Sequence, residues 1–190
     1  MAAVALFWCY LLQSRTFPAD SDGSGAALQG WDMLHGDLLL RGWWLADVSF
    51  STFEVPVDAL AEAVHGLNAD VVHVGAALVY AALVLVAALL ARGTARGREG
   101  VIRAVLAAGI VVAPALNATN LLLGAPDHIG VAVPIMLTFL VVDRARARWW
   151  VPVAVCVLLV WAQLDDPVAE FAAAAPVAVI CLGRAALALK

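Results

Sequence analysis

The sequence predicts an all-α protein: a polytopic bundle of about six transmembrane helices, the first of them truncated, with two amphipathic helices in the first outer loop. Two patterns carry this. Apolar blocks at 1–13, 71–91, 101–123, 129–142, 149–164 and 168–183 alternate with polar loops, and the loops alternate in charge. Residues 92–103 and 143–148 hold Arg92, Arg96, Arg98, Arg103, Arg144, Arg146 and Arg148 against only Glu99 and Asp143. The other loops, with the residues at their edges, hold thirteen of the fifteen acids and only Arg15 and Arg41. Basic loops stay cytoplasmic, so residues 14–70 are expected outside a plasma (inner) membrane that the chain crosses repeatedly. A hydrophobic content of 64% and a mean hydropathy of +0.94 agree, since soluble domains run about 45–50% apolar.

A spanning helix needs about 20 apolar residues. Val71–Ala91 and Val101–Leu123 meet that length. Block 149–164 is shorter and is anchored by Trp149, Trp150 and Trp161, while block 168–183 extends to Leu189 when Arg184 snorkels. Ile129–Val142 is short and contains Pro134. Met1–Gln13 starts apolar with no basic stretch before it, which argues against a signal peptide. The first helix is therefore read as truncated, and the chain as the N-terminal part of a longer protein, inactive alone. Residues 1–190 form one membrane domain, with 14–70 an extracytoplasmic loop and 71–190 the helix bundle.

The loop 14–70 is too long and patterned for a plain connector. After the helix-start signal Ser21-Asp22-Gly23-Ser24, Ala27, Trp31, Leu34 and Leu38 recur at helical spacing. Gly42-Trp43-Trp44 breaks the pattern with two rings suited to the headgroup layer. A second helix is expected to start near Pro56 and end at Gly66, with Asp58, Glu62 and His65 along its polar side. Both helices are expected to lie at the outer interface. Cys9, Cys156 and Cys181 fall inside apolar blocks and read as small buried hydrophobes without metal-ligand spacing. The seven clustered arginines are explained by topology, so no surface for nucleic acid is expected.

Asp22-Gly23 followed by Ala26-Ala27, then Met33-Leu34-His35-Gly36-Asp37-Leu38-Leu39-Leu40-Arg41-Gly42-Trp43, resembles the start of the first outer loop in GT-C-type membrane glycosyltransferases. The whole chain is similar to actinobacterial multi-pass membrane proteins that share this loop. The resemblance implies transfer of a sugar from a polyprenyl-phosphate donor at the outer face of the membrane. It also implies an acidic residue soon after the first span, a position that Asp22 occupies.

Inverting glycosyl transfer needs a carboxylate on the face opposite the departing phosphate. Asp22 fits that role through the resemblance; as a plain sequence feature, Asp20 and Asp22 cap a helix in water. Glu54, between aromatics in Phe50-Ser-Thr-Phe-Glu-Val-Pro56, is the second catalytic candidate: a carboxylate beside apolar rings can carry a raised pKa. Helix-start charge placement competes with that reading. Asp127 and His128, in a tight turn between two spans, are candidates to hold donor phosphate or a divalent cation, with an ordinary polar turn as the equal alternative. Asp165-Asp166-Pro167 reads as a solvated turn, and His35, His65 and His73 as polar surface residues.

The leading expectation is thus part of a polyprenyl-phosphate-sugar-dependent glycosyltransferase, its partners the lipid bilayer and the lipid-linked sugar. The alternative is a non-catalytic membrane scaffold or degenerate remnant of that architecture. A transporter ranks third, because the acids cluster outside the spans rather than near mid-membrane.

Overall fold

The computed structural model describes residues 1–45, 48–114, 116–124, 129–145 and 148–188. Asp127, His128 and Arg146 lie outside them. The described residues form helices and loops only: α1 (Ala2–Ser14), α2 (Ser21–Leu34), α3 (Glu54–His65), α4 (Asp70–Arg92), α5 (Gly97–Val111), α6 (Leu116–Gly124), α7 (Ala132–Arg144), α8 (Trp150–Asp165) and α9 (Ala175–Ala188).

Among the described residues, two helical stretches are long and apolar enough to cross a membrane: Asp70–Arg92, and Glu170–Leu187. α1 and α8 are apolar but shorter. The expected span Val101–Leu123 is not one helix. It breaks after Val111, just ahead of Pro114, whose ring lacks an N–H and clashes with the preceding turn. Carbonyls freed at such a break need donors, and two tyrosines supply them. Tyr80 Oη donates to Val111 O (2.9 Å) and Tyr10 Oη to Val112 O (2.8 Å), with the two rings packed edge to face at 4.6 Å. In the last apolar stretch, Pro176 cannot close onto Ala172, and the helix widens into a π turn at Glu170–Ala174 before α9 begins.

α4 is the hub, packing against α1, α2, α3, α5, α6 and α7. Its main core joins Tyr10 and Leu11 of α1 to Val79, Tyr80 and Val84 of α4, Leu123 of α6 and Ile129. A second cluster joins Val131 and Ile135 to Ala162, Ala169 and Ala173. Beyond these cores the surface is apolar: Ile110, Val179, Leu182 and Leu187 are each at least 69% exposed. Cys9, Cys156 and Cys181 belong to that surface, so the expectation that they are buried is corrected. An apolar block does not tell a side chain facing protein from one facing lipid.

Candidate functional site: a buried acidic face under the α2–α3 layer

Both helices expected in the long loop are present, and their ends follow the sequence signals. Asp20 caps α2, its Oδ1 accepting from Asp22 N (3.1 Å) and Gly23 N (2.9 Å). Asp22 follows in the first turn with its side chain exposed. After α2 the chain folds back, and Trp43 Nε1 donates to Asp32 Oδ2 (2.8 Å) while Trp44 stays exposed. α3 ends at Gly66, whose φ of +69° suits glycine. Asn68 then staples α3 to α4, donating Nδ2 to Gly66 O (2.9 Å) and accepting from Asp70 N (2.9 Å). Arg15 grips Asp70 with two bonds (2.7 and 2.5 Å), tying the end of α1 to the same corner.

The orientation of α3 overturns the sequence reading. Asp58 and Glu62 share a face, as expected, but Glu54 rather than the exposed His65 completes it, and that face points inward: Glu54, Asp58 and Glu62 are only 3%, 3% and 2% exposed. Leu60 and Val64, on the opposite face, are 69% and 77% exposed. α2 lies on α3 through Ala27 and Gly30, with Gly23 against Val72 of α4, rather than through the Leu34/Leu38 stripe, both of whose leucines are exposed. At Gly30 a side chain would collide with the backbone of Val55 and Ala59, so glycine sets how closely the helices approach.

Glycines also make room for the acids. A β-carbon on Gly75 would overlap the Asp58 carboxylate, and one on Gly130 would overlap that of Glu54. Gly130 serves Glu54 twice, because its N–H donates to Oε1 (2.9 Å). Asp165 and Asp166 are 1% and 0% exposed, which corrects the solvated-turn reading. Asp165 Oδ1 accepts from Thr52 N (3.2 Å) and Thr52 Oγ1 (3.0 Å), and Trp161 Nε1 donates back to Thr52 O (2.8 Å). Asp166 Oδ1 accepts from Val168 N (2.8 Å) and opens the next helical stretch.

Burial without compensating donors favours the neutral acid. Asp58 is pushed up to about 8 by burial first and then by the charge of Glu62. Burial pushes Glu62 up to about 7, with His35 pulling the other way. Glu54 is raised by burial and then by Asp165, in line with the expectation for a carboxyl beside aromatic rings. Both oxygens of Glu62, Oε2 of Glu54 and Oδ2 of Asp165 are buried without a hydrogen-bond partner.

The fold gathers the segments that carry the sequence candidates. Gly124 O lies 3.4 Å from where a β-carbon of Gly23 would sit, beside Asp22, and Gly130 bonds Glu54. Gly124 therefore lies against the start of α2 and Gly130 against the start of α3. Among the described residues, no three His, Cys, Asp or Glu side chains converge as a metal-binding group. His73 is half-buried rather than a surface residue. Its Nδ1 lies 2.9 Å from Ser14 Oγ, which donates to Leu123 O (2.5 Å). With the serine proton committed to that carbonyl, the imidazole is the donor and cannot act as a base toward Ser14.

Sequence reasoning missed Asp165 and the inward turn of the acidic face. Glycines at 75 and 130, opposite a carboxylate repeat of four residues, were the available signal. No family model matches the chain, and no curated protein or solved structure does.

Proposed function

We propose that this chain is part of a GT-C-like membrane glycosyltransferase that takes a sugar from a polyprenyl-phosphate donor at the outer face of a multi-pass inner-membrane bundle. The observation that supports this reading best is the bracketing of the 124–130 turn by the segments carrying Asp22 and Glu54. Gly124 and Gly130, which flank Asp127 and His128 in sequence, lie against the starts of α2 and α3 at one end of the bundle. That end carries the acids of 14–70, while the opposite ends of α4 and α7 carry Arg92 and Arg144.

In this reading Asp22, exposed at the start of α2, is the catalytic carboxylate. It takes the proton of the acceptor hydroxyl as that oxygen bonds to the anomeric carbon. The bond from the anomeric carbon to phosphate oxygen breaks, and polyprenyl phosphate leaves. Glu54 is too deeply buried to touch substrate and acts as a positioning residue, holding Gly130 through its N–H. Asp127 and His128, outside the described residues, are assigned in this reading to binding the donor phosphate, directly or through a divalent cation. The scaffold alternative keeps the same fold with no role for Asp22.

The test is sugar transfer in membranes containing the protein, with labelled polyprenyl-phosphate hexose and pentose donors and expression measured alongside. The reading predicts that Asp22→Asn lowers transfer about 10²–10⁴-fold at normal abundance. An absence of donor-dependent labelling with every donor supports the scaffold.

A further inference from the structure

Two carboxyl groups more than a hundred residues apart meet where the start of α3, the end of α8 and Gly130 come together. Each is half satisfied. Glu54 holds the Gly130 N–H on Oε1, and Asp165 holds both Thr52 donors on Oδ1. The second oxygen of each, Glu54 Oε2 and Asp165 Oδ2, is buried and has no donor. The two side chains lie within hydrogen-bonding reach of one another. The ion pairs of the described residues, Arg15–Asp70 and Arg103–Glu99, are both elsewhere, so among the described residues no cationic side chain forms an ion pair with these two acids.

Two adjacent ionised carboxylates in such a place would repel and leave both oxygens orphaned, at a full desolvation cost for each. A single proton removes both faults. The protonated carboxyl donates, the ionised one accepts, and the short charge-assisted bond satisfies the two orphans together. We infer that Glu54 and Asp165 bind one proton between them, and that this shared proton fastens the α2–α3 layer to α8 and to the turn at Gly130. The inference does not depend on sugar transfer.

The geometry names what the proton controls. Glu54 opens α3, Thr52 lies two residues before it, and Asp165 closes α8. The other ionisable groups around the pair are Asp58, one turn along α3, and Asp166, whose Oδ1 is committed to Val168. Farther along α3 are Glu62 and His65, and on the elements packed against it the groups are Asp22 and Asp32 of α2, His35 just past its end, and Asp70, His73, Tyr80 and Arg92 of α4. Among the described residues only Asp165 acts electrostatically on Glu54. Loss of the shared proton leaves two neighbouring buried anions, and the cheapest relief is movement of α3 away from α8.

The experiment is an infrared pH titration of the full chain in lipid nanodiscs, following the protonated-carboxyl stretch, with amide exchange of residues 50–65 read in parallel. Beside the bands of Asp58 and Glu62, the wild-type chain should show a further protonated carboxyl at neutral pH that Glu54→Gln removes. Exchange of 50–65, corrected for its intrinsic pH dependence, should rise as that carboxyl ionises, and the rise should be smaller in Glu54→Gln, where Asp58 and Glu62 still titrate. Asp165→Asn removes the neighbouring anion and should lower the midpoint by about a pH unit or more. Thr52→Val, which keeps both carboxyls and removes a donor to Asp165, should raise it, so the inference stays testable if an amide variant fails to fold. A neutral-pH carboxyl spectrum unchanged by Glu54→Gln, or a midpoint indifferent to both Asp165→Asn and Thr52→Val, overturns the shared proton.

Discussion

The carboxylate of Asp58 occupies the space that a side chain on Gly75 would fill. An acid on one helix is thus seated against bare backbone in the middle of the central helix, α4. This contact fixes the rotation of α3: with Asp58 inward, Glu54 and Glu62 follow at four-residue intervals, and Leu60 and Val64 are turned out. Against water that arrangement would be inverted. Against lipid it is consistent, because apolar side chains face the hydrocarbon and polar ones face protein.

Gly75→Ala should therefore destabilise the chain by about 1–3 kcal/mol through overpacking. Thermal unfolding in nanodiscs measures this. Asp58→Ala in the same chain vacates the pocket and should recover part of the loss. Equal stability of Gly75→Ala and wild type would show that Asp58 sits elsewhere.

The buried acids set the sign of a pH effect. Asp58 is raised from an ordinary 3.8 to about 8, so between those values the folded chain holds a proton that the unfolded chain has released. Stability falls with pH wherever the folded state binds more protons. Asp58 should thus destabilise the fold progressively from about pH 4 to about pH 8, with no further change above. Asp58→Asn should flatten much of that slope and be more stable than wild type at the alkaline end. Glu62, raised to about 7, contributes in the same direction and leaves a residual slope.

Tyr10→Phe and Tyr80→Phe each strip a donor from a carbonyl at the α5–α6 break. Each should cost about 0.5–1.5 kcal/mol. Because the rings touch, the double variant should depart from the sum of the singles. Thermal unfolding of the three variants measures both effects.

For topology, a cysteine at Arg98 in a cysteine-free background should resist an impermeant maleimide added to intact cells, and one at Ser24 should react. Labelling of position 98 from outside would contradict the proposed orientation.

The helices of the long loop were legible because their punctuation is local: Asp20 as a cap, Pro56 in a first turn, Gly66 at an end. The face of α3 was not. A repeat of Glu54, Asp58 and Glu62 against Leu60 and Val64 reads the same whichever side is protein, and only the solvent on the far side decides. Asp165 was misread for a related reason: a turn beside proline is wet by default, and the Thr52 donors that bury it come from 113 residues away. The span Val101–Leu123 follows from apolar length alone, a measure that takes no account of Pro114. What holds the break is the Tyr10–Tyr80 pair, which no local pattern reveals. Asp22 was chosen by resemblance, and the structure supplies its neighbourhood rather than its role.

The inward acidic face of α3 is the claim on which the rest depends, and a nitroxide scan from Val57 to His65 tests it directly. Spin labels placed one at a time in the full chain in nanodiscs should show mobility and oxygen accessibility peaking at Leu60 and Val64, with minima at Asp58 and Glu62. The opposite phase, with Asp58 and Glu62 mobile and water-accessible while Leu60 and Val64 are immobile, would contradict the account.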